Sequence, residues 1–388
     1  MKILHTSDWH IGRTFFGEQV NEHLREVLDT LVEIVRDNEV DVVVVAGDVF
    51  DSTMPAASAY DLLTDVLIEL HGTGAQVILT SGNHDSAARL RFQSRWAQAS
   101  GIHVIARPEL AFESVALSDE FGPVTFYGVP YLEPVLVRHL DGAPQSRAQA
   151  AVMRWATDLA REHLAANPTR SVLIGHCFAA GVPEEANAKD IERDLTAGGL
   201  DVVPLDTLEG FDYVALGHIH TRAQLRPQIR YSGAPLHYSF SEAGAVRGAW
   251  LIELDAQGFA GAQWLDLPVP RPLSRLHGTL SELLHDESFS PYRDNWVAAA
   301  LTDQARPLDA MARLRTRFPH AVHVEHTPEV RVDRDEQTYQ AKLAAAITDE
   351  QRVERFLEHT RNGVGASDIE RDILAEVFAQ FNAQEANR

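Results

Sequence analysis

The chain has 388 residues, enough for a large core and for more than one domain. Its net charge of −22 argues against a broad basic face as the grip on nucleic acid, and its single cysteine, Cys177, excludes an internal disulfide framework and suits a reducing compartment. No apolar run approaches the roughly 18 residues of a membrane span, and a strand-like start at residue 2 leaves no room for a signal peptide, so the expected location is the cytoplasm.

In chain order, residues 2–6 read as a short buried strand, followed by a loop carrying Asp8, His10 and Arg13. Residues 19–36 have helical spacing, with Leu24, Val27, Leu28, Leu31, Ile34 and Val35 on one face. Residues 40–46 form a continuous β-branched run of the kind buried on both faces. Pro55 suits the first turn of a helix running to about His71, closed by Gly72 and Gly74. Residues 76–80 predict another strand, 86–98 a helix, and 102–105 and 124–129 further strands. A long amphipathic helix is expected over 146–166, then a strand over 171–174, a charged surface excursion over 183–199, and closely spaced strands at 213–216, 229–233 and 249–254. This pattern predicts an α/β fold, an αββα sandwich of two packed mixed sheets, the second sheet the more antiparallel. Pro268, Pro270 and Pro272 mark a boundary. The expected domains are a core over 1–268, a small α+β module over 269–328, and a charged linker with a helical tail over 329–388. The tail shows Val353, Phe356 and Leu357 on one helix and Ile369, Ile373, Leu374, Val377 and Phe378 on another.

Five strand-like runs each deliver Asp, Asn or His at the carboxyl end, where α/β folds collect catalytic groups. The candidates are Asp8, His10, Asp48, Asn83, His176, His218 and His220. Hard carboxylate and amide oxygens mixed with imidazole suit Mn²⁺, Fe²⁺ or Zn²⁺. Seven ligands exceed the needs of one ion, whereas two ions sharing a carboxylate use them all. Asp48, central in chain order and on the most buried strand, is the expected bridge. Two ions about 3.5–4 Å apart activate water and clamp an in-line phosphoryl displacement. His84 is the candidate proton donor to the leaving oxygen, and Asp51 the candidate carboxylate that orients or charges it.

Asp8-x-His10, Gly47-Asp48-x-x-Asp51, Gly82-Asn83-His84-Asp85, Gly175-His176 and Gly217-His218-x-His220, in this order, resemble the calcineurin-like metallophosphoesterase superfamily. More narrowly, residues 7–13, 47–51 and Tyr231-Ser232-Gly233-Ala234-Pro235 are similar to the SbcD family of bacterial DNA repair nuclease subunits. That resemblance implies a Mn²⁺-dependent nuclease acting in repair and recombination. It would be an ATP-stimulated exonuclease on double-stranded ends and an endonuclease on hairpins, working on nucleoid DNA in the cytoplasm. It further implies that Asp8, His10, Asp48 and His220 hold one ion, that Asp48, Asn83, His176 and His218 hold the other, and that His84 assists. The module over 269–328 would cap DNA. The helical tail would dock on the SMC-like ATPase subunit SbcC, with a homodimer at the centre of a heterotetramer. The archaeal relatives carry histidine where this chain has Asp51. The alternative is a two-metal phosphodiesterase or phosphatase acting on a small substrate.

Other readings compete at particular residues. Asp51 also suits a cap for the helix beginning near Pro55, and Asp85 a cap for the helix after Ser86. Arg13 is either a phosphate contact or a salt-bridged loop residue. Arg89, Arg91 and Arg95 either track a DNA backbone or form a solvated helix face. Cys177 adjoins His176, but a single thiolate does not belong in a hard, oxygen-rich site.

Overall fold

The computed structural model describes residues 1–182, 202–328, 343–344, 346, 348–361, 363 and 365–385; the surface excursion at 183–199 and the linker from 329 to 337 lie outside these. The chain divides into two compact units, Met1–Pro272 and Leu273–Arg388.

The first unit opens with β1 (Lys2–Thr6) and a small hairpin, β2 (Thr14–Phe15) and β3 (Glu18–Gln19). Then come α1 (Asn21–Asp37), β4 (Val42–Ala46), α2 (Ala57–Gly72) and β5 (Gln76–Thr80). Two one-turn helices, α3 (Ala87–Leu90) and α4 (Ser94–Ala97), precede β6 (Ile102–Ile105), β7 (Glu113–Asp119) and β8 (Gly122–Gly128). A short α5 (Pro134–Val137) leads to α6 (Gln149–Ala166) and β9 (Arg170–His176). The unit closes with β10 (Tyr213–Gly217), β11 (Ala223–Arg226), β12 (Ile229–Tyr231), β13 (Gly248–Asp255) and β14 (Gly258–Asp266).

These strands make two six-stranded sheets, β14-β13-β1-β4-β5-β6 and β11-β12-β10-β9-β8-β7. The two sheets are equally mixed, which corrects the expectation of a more antiparallel second sheet. In the first, β1, β4, β5 and β6 run parallel, and β13 and β14 add antiparallel at one side. In the second, β8, β9, β10 and β12 run parallel, with β7 and β11 as antiparallel edges. Residues 249–254 leave the second sheet and return to the first, pairing with β1 from Lys2↔Glu253 to His5↔Trp250.

Alternation along each strand builds the layers. Val42, Val44 and Ala46 of β4 point between the sheets with Ile3, Ile78, Phe126, Val172, Ile174, Tyr213 and Ile252. Val43 and Val45, also fully buried, face the opposite way, on the side of α1 and α2. On the far side, Val152, Met153, Ala156 and Ala160 of α6 pack on Tyr127, Leu173, Val214 and Leu216 of the second sheet. His5 ties the sheets together, its ring bonded to the Tyr213 hydroxyl at 2.9 Å and the Leu216 carbonyl at 3.2 Å. Burial pushes its pKa down to about 3, so it stays neutral.

The single helix expected over 86–98 is broken. Helix α3 ends at Leu90, and Gln93 turns left-handed at φ 64° before α4 restarts. An amphipathic helix needs a face to bury, and here only Leu90 is buried, while Phe92 and Trp96 are 75% and 81% exposed.

The second unit begins with a parallel three-stranded sheet, β15 (Leu273–Gly278), β16 (Trp296–Leu301) and β17 (Ala321–His326), in that order. It carries α7 (Leu280–His285), opened by a Thr279/Glu282 capping box, and α8 (Ala310–Arg315). Leu276, Leu283, Val297, Leu301, Leu314 and Phe318 form its core. The tail follows as α9 (Asp349–Thr360), capped by Thr348 and Gln351, and α10 (Asp368–Glu385). Phe356 of α9 and Ile369, Ile373, Val377 and Phe381 of α10 are each more than half exposed.

Candidate dimetal site

The carboxyl ends of β1, β4, β5, β9 and β10 meet at one rim, because their registers end flush: Thr6↔Val45, Ala46↔Thr80 and Gly217↔His176. At two positions only glycine permits the approach of one sheet to the other. A Cβ on Gly217 would stand 1.8 Å from the Ala46 carbonyl oxygen, and one on Gly47, at φ +84°, would stand 2.2 Å from His176 Nδ1. Asp8, His10, Asp48 and His218 all have positive φ, at 53°, 46°, 48° and 101°. Non-glycine residues persist there only when the surroundings over-determine them, and such strain gathers at functional sites. Ladder-like bonds hold the first two loops together: Asp8 N to Gly47 O at 3.1 Å, His10 N to Asp48 O at 3.0 Å and Ile11 N to Val49 O at 2.9 Å.

All seven candidate ligands converge. His10 and His220 bring their Nε2 atoms to 3.1 Å, and both lie with Asp8 in one tight cluster. His176 Nε2 is 2.9 Å from Asn83 Oδ1, and His218 Nδ1 is 3.2 Å from the same oxygen. Between the two groups sits Asp48. Its Oδ1 accepts from the His84 backbone N–H at 2.9 Å. Its Oδ2 is buried without a well-directed donor, facing His176 Nε2 at 3.2 Å and His10 Nε2 at 3.7 Å. A buried carboxylate oxygen left like this is costly unless something positive completes it.

The electrostatics say the same. Burial would lower His176, but the Asp48 carboxylate outweighs it and pushes His176 up to about 10. Burial pushes Asp8 up to about 7, against the pull of His176 and His220. Asp48 resists its own burial and is held well below the usual carboxylate range by His176 and His10. Carboxylate and amide oxygens mixed with imidazole nitrogens, packed this closely and buried, are a donor set that suits hard-to-borderline divalent ions.

The neighbouring residues take roles partly different from those expected. His84 Nδ1 bonds to the Asp51 backbone carbonyl at 3.0 Å, so the main chain of residue 51 orients His84. The Asp51 carboxylate instead meets His10 Nδ1 at 3.2 Å and Arg13 at 2.8 Å. It does not cap α2, whose N-cap is Ala56. Asp85 caps nothing either: its carboxylate accepts from the N–H groups of Val49, Phe50 and Gly82 at 3.1, 2.9 and 2.9 Å, stitching two ligand loops together. Arg13 pairs with Asp51 at 2.8 Å, its guanidinium also 5.0 Å from the centre of the Tyr238 ring. Arg89 is exposed on α3, and Arg91 pairs with Glu109 at 3.0 Å; neither belongs to the cluster. Cys177 is buried in the apolar cluster with Leu173, Ala179 and Leu208, and burial pushes its thiol up to about 12.

Sequence reasoning missed the residues behind the ligands. Ser7 donates to Asp8 and lies 2.8 Å from Ser232. Glu242, wholly buried, faces His220 Nδ1 at 3.4 Å and is clamped by Arg247, which also donates to the His220 carbonyl. Burial would raise Glu242, but Arg247 holds it at about 2, fully ionised.

A rim of Asp, Asn and His shared by two sheets has the donor chemistry of a metal-dependent phosphoester hydrolase. Residues 1–222 match the calcineurin-like phosphoesterase family, and the chain belongs to that family. Residues 269–361 match a second family, SbcD_C, described as the Type 5 capsule protein repressor C-terminal domain. Among solved structures, the chain is similar to a dimetal phosphatase from Danio rerio at 15% identity and TM-score 0.41, covering 69% of this chain and 99% of that one. It is also similar to TT1561 of Thermus thermophilus, at 14% identity and TM-score 0.39 over 68% and 98%. A third is GAP50, the anchor in the inner membrane complex of Plasmodium, at 11% identity and TM-score 0.40 over 85% and 98%. Among the described residues no helix is long and apolar enough to cross a membrane.

Proposed function

We propose that this chain is the nuclease subunit of an SbcCD-type complex, hydrolysing DNA phosphodiester bonds at double-stranded ends and hairpins with two Mn²⁺ ions. The observation that carries the reading is the pairing of clustered candidate metal-binding side chains on a calcineurin-like phosphoesterase core with the SbcD_C match at residues 269–361. Asp8, His10, Asp48 and His220 would hold one ion, and Asp48, Asn83, His176 and His218 the other. When bound, the ions supply the positive charge against which a phosphodiester transition state develops. His84 does the proton work. Its Nδ1 is engaged by the Asp51 carbonyl, so Nε2 is the ring nitrogen that passes a proton to the leaving oxygen.

The same reading assigns the small sheet of the second unit to capping DNA and the exposed apolar residues of α9 and α10 to docking on SbcC. A homodimer would sit within the complex. The net charge of −22 predicts weak DNA binding by this chain alone and strong salt sensitivity once the partner supplies its basic surface.

The test is cleavage of an end-labelled DNA hairpin in Mn²⁺ by wild type and Asp48→Ala, with and without the ATPase and ATP. Metal-dependent cutting lost in the variant and stimulated by the partner supports the proposal. A small phosphodiester hydrolysed while DNA stays intact under every condition would replace it with a small-substrate phosphodiesterase.

A further inference from the structure

The two halves of the cluster are built differently. On one side, His10 and His220 point their Nε2 atoms at each other, 3.1 Å apart. Behind each ring stands a carboxylate gripped by an arginine. His10 Nδ1 faces Asp51, which Arg13 holds at 2.8 Å. His220 Nδ1 faces Glu242, which Arg247 holds. Each ion pair presents its negative end to the imidazole, fixing the Nδ1–H tautomer and making Nε2 a better donor to a cation. The third ligand of this side, Asp8, is a full carboxylate.

On the other side, His176 Nδ1 is backed by a backbone carbonyl, Ala46 O at 2.9 Å. The ligand that takes the place of Asp8 there is the neutral amide of Asn83, 2.9 Å from His176 Nε2. Asp8 and Asp48 also reach this side, at 4.0 Å from His176 Nδ1 and 3.2 Å from His176 Nε2. What it lacks is an arginine-held carboxylate directly behind His176, whose place a carbonyl dipole takes, so a divalent ion gains less there.

The Glu242 arm is as buried as the ligands. Glu242 is 0% and Arg247 2% exposed, and Arg247 reaches the His220 and Ala234 carbonyls as well. Tyr238, whose N–H lies 3.3 Å from Glu242, sends its hydroxyl to the carbonyl of Trp9, between Asp8 and His10. The segment 238–247 is therefore a brace across the loops that carry Asp8, His10 and His220.

We propose that the two ions load in a fixed order, with the Asp8/His10/His220 position filled first and more tightly, and that Glu242 is the positioning residue that sets this order. The proposal rests on the two-metal reading of the cluster and adds an inequality to it.

Calorimetric titration of metal-stripped full-length protein with Mn²⁺ tests both. The expected result is two resolved steps, the first at least about tenfold tighter. Glu242→Gln, isosteric but uncharged, is expected to weaken the first step by about 10–100-fold and leave the second within about twofold. Asn83→Ala is expected to remove the second step and spare the first. Circular dichroism of the metal-free proteins checks that each variant is folded. If Glu242→Gln does not fold, Glu242→Asp, which keeps the charge but draws it back from His220, serves in its place, with the same selective weakening of the first step expected. Two equivalent sites in wild type would overturn the ordering, as would a carboxylate variant that weakens both steps alike. Binding of fewer than two ions by wild type would instead remove the two-metal reading itself.

Discussion

Residues 82–85 and residues 86–100 adjoin in sequence and are opposite in character. The first stretch is tied into the neighbouring loops: Gly82 N–H to Asp85, Asn83 between His176 and His218, the His84 N–H to Asp48, and Asp85 to three backbone donors. The second stretch is two isolated turns around a left-handed Gln93, with Phe92 and Trp96 in solvent. Beside it lies a groove of about 980 Å³ lined by Arg91, Phe92, Arg95, Trp96 and the edges of β6 and β7. The contrast teaches where this chain is determined by its own interior. Loop geometry around the candidate ligands is enforced from both sheets, whereas the segment that follows is held mainly by its own turns, the buried Leu90 and the surface Arg91–Glu109 pair.

That comparison can be broken at its strongest point first. Asp48→Ala removes the carboxylate that both halves of the cluster share, and hydrolysis of a chromogenic phosphodiester is expected to fall by about 10³-fold or more, with Mn²⁺ content lost in parallel. Although His84 lies close enough to His10 and Asp48 to share an ion with them, the proposed proton-transfer role predicts that His84→Gln costs about 10²-fold in kcat while elemental analysis still finds both ions. Retained activity in that variant would reassign the proton donor. Asp85→Ala leaves the Val49, Phe50 and Gly82 N–H groups without their acceptor, and urea unfolding is expected to show a loss of about 3 kcal/mol. At the weak end, Trp96→Ser on the following segment is expected to shift stability by no more than about 0.5 kcal/mol. A loss comparable to that of Asp85→Ala would mean that the exposed segment is packed in solution and that the contrast is false.

The meeting of the candidate loops at one rim was legible because Asp, Asn and His recur in glycine-flanked turns at the ends of five strand-like runs. The helices α1, α2 and α6 were legible from spacing. Three kinds of feature were not. Strands β7, β11 and β14 escaped because they lie at sheet edges with alternate residues exposed, so their apolar signal is halved. The helix over 86–98 was misread because apolar spacing predicts a face only if something covers it. Glu242 and Arg247 escaped because a buried ion pair looks, in sequence, like any charged loop; the only clue was their closeness to the Tyr231-Ser232-Gly233-Ala234-Pro235 run. Asp51 was placed near the right imidazole and bonded to the wrong one, since the side chain and the main chain of one residue serve two different histidines.

The return of β13 to the first sheet carries a consequence for synthesis. β1 is a central strand, paired on one side with β4 and on the other with β13. His10 meets a partner 210 residues away. At about 5–20 residues per second, the amino-terminal ligands wait about 10–40 s on the ribosome before His220 exists, and longer before β13 covers the open side of β1. Throughout that interval the nascent chain presents an unpaired strand edge, the kind that recruits other chains. Slowing the ribosome between residues 50 and 250 should therefore lower the yield of native protein, and chaperones that shield strand edges should restore it.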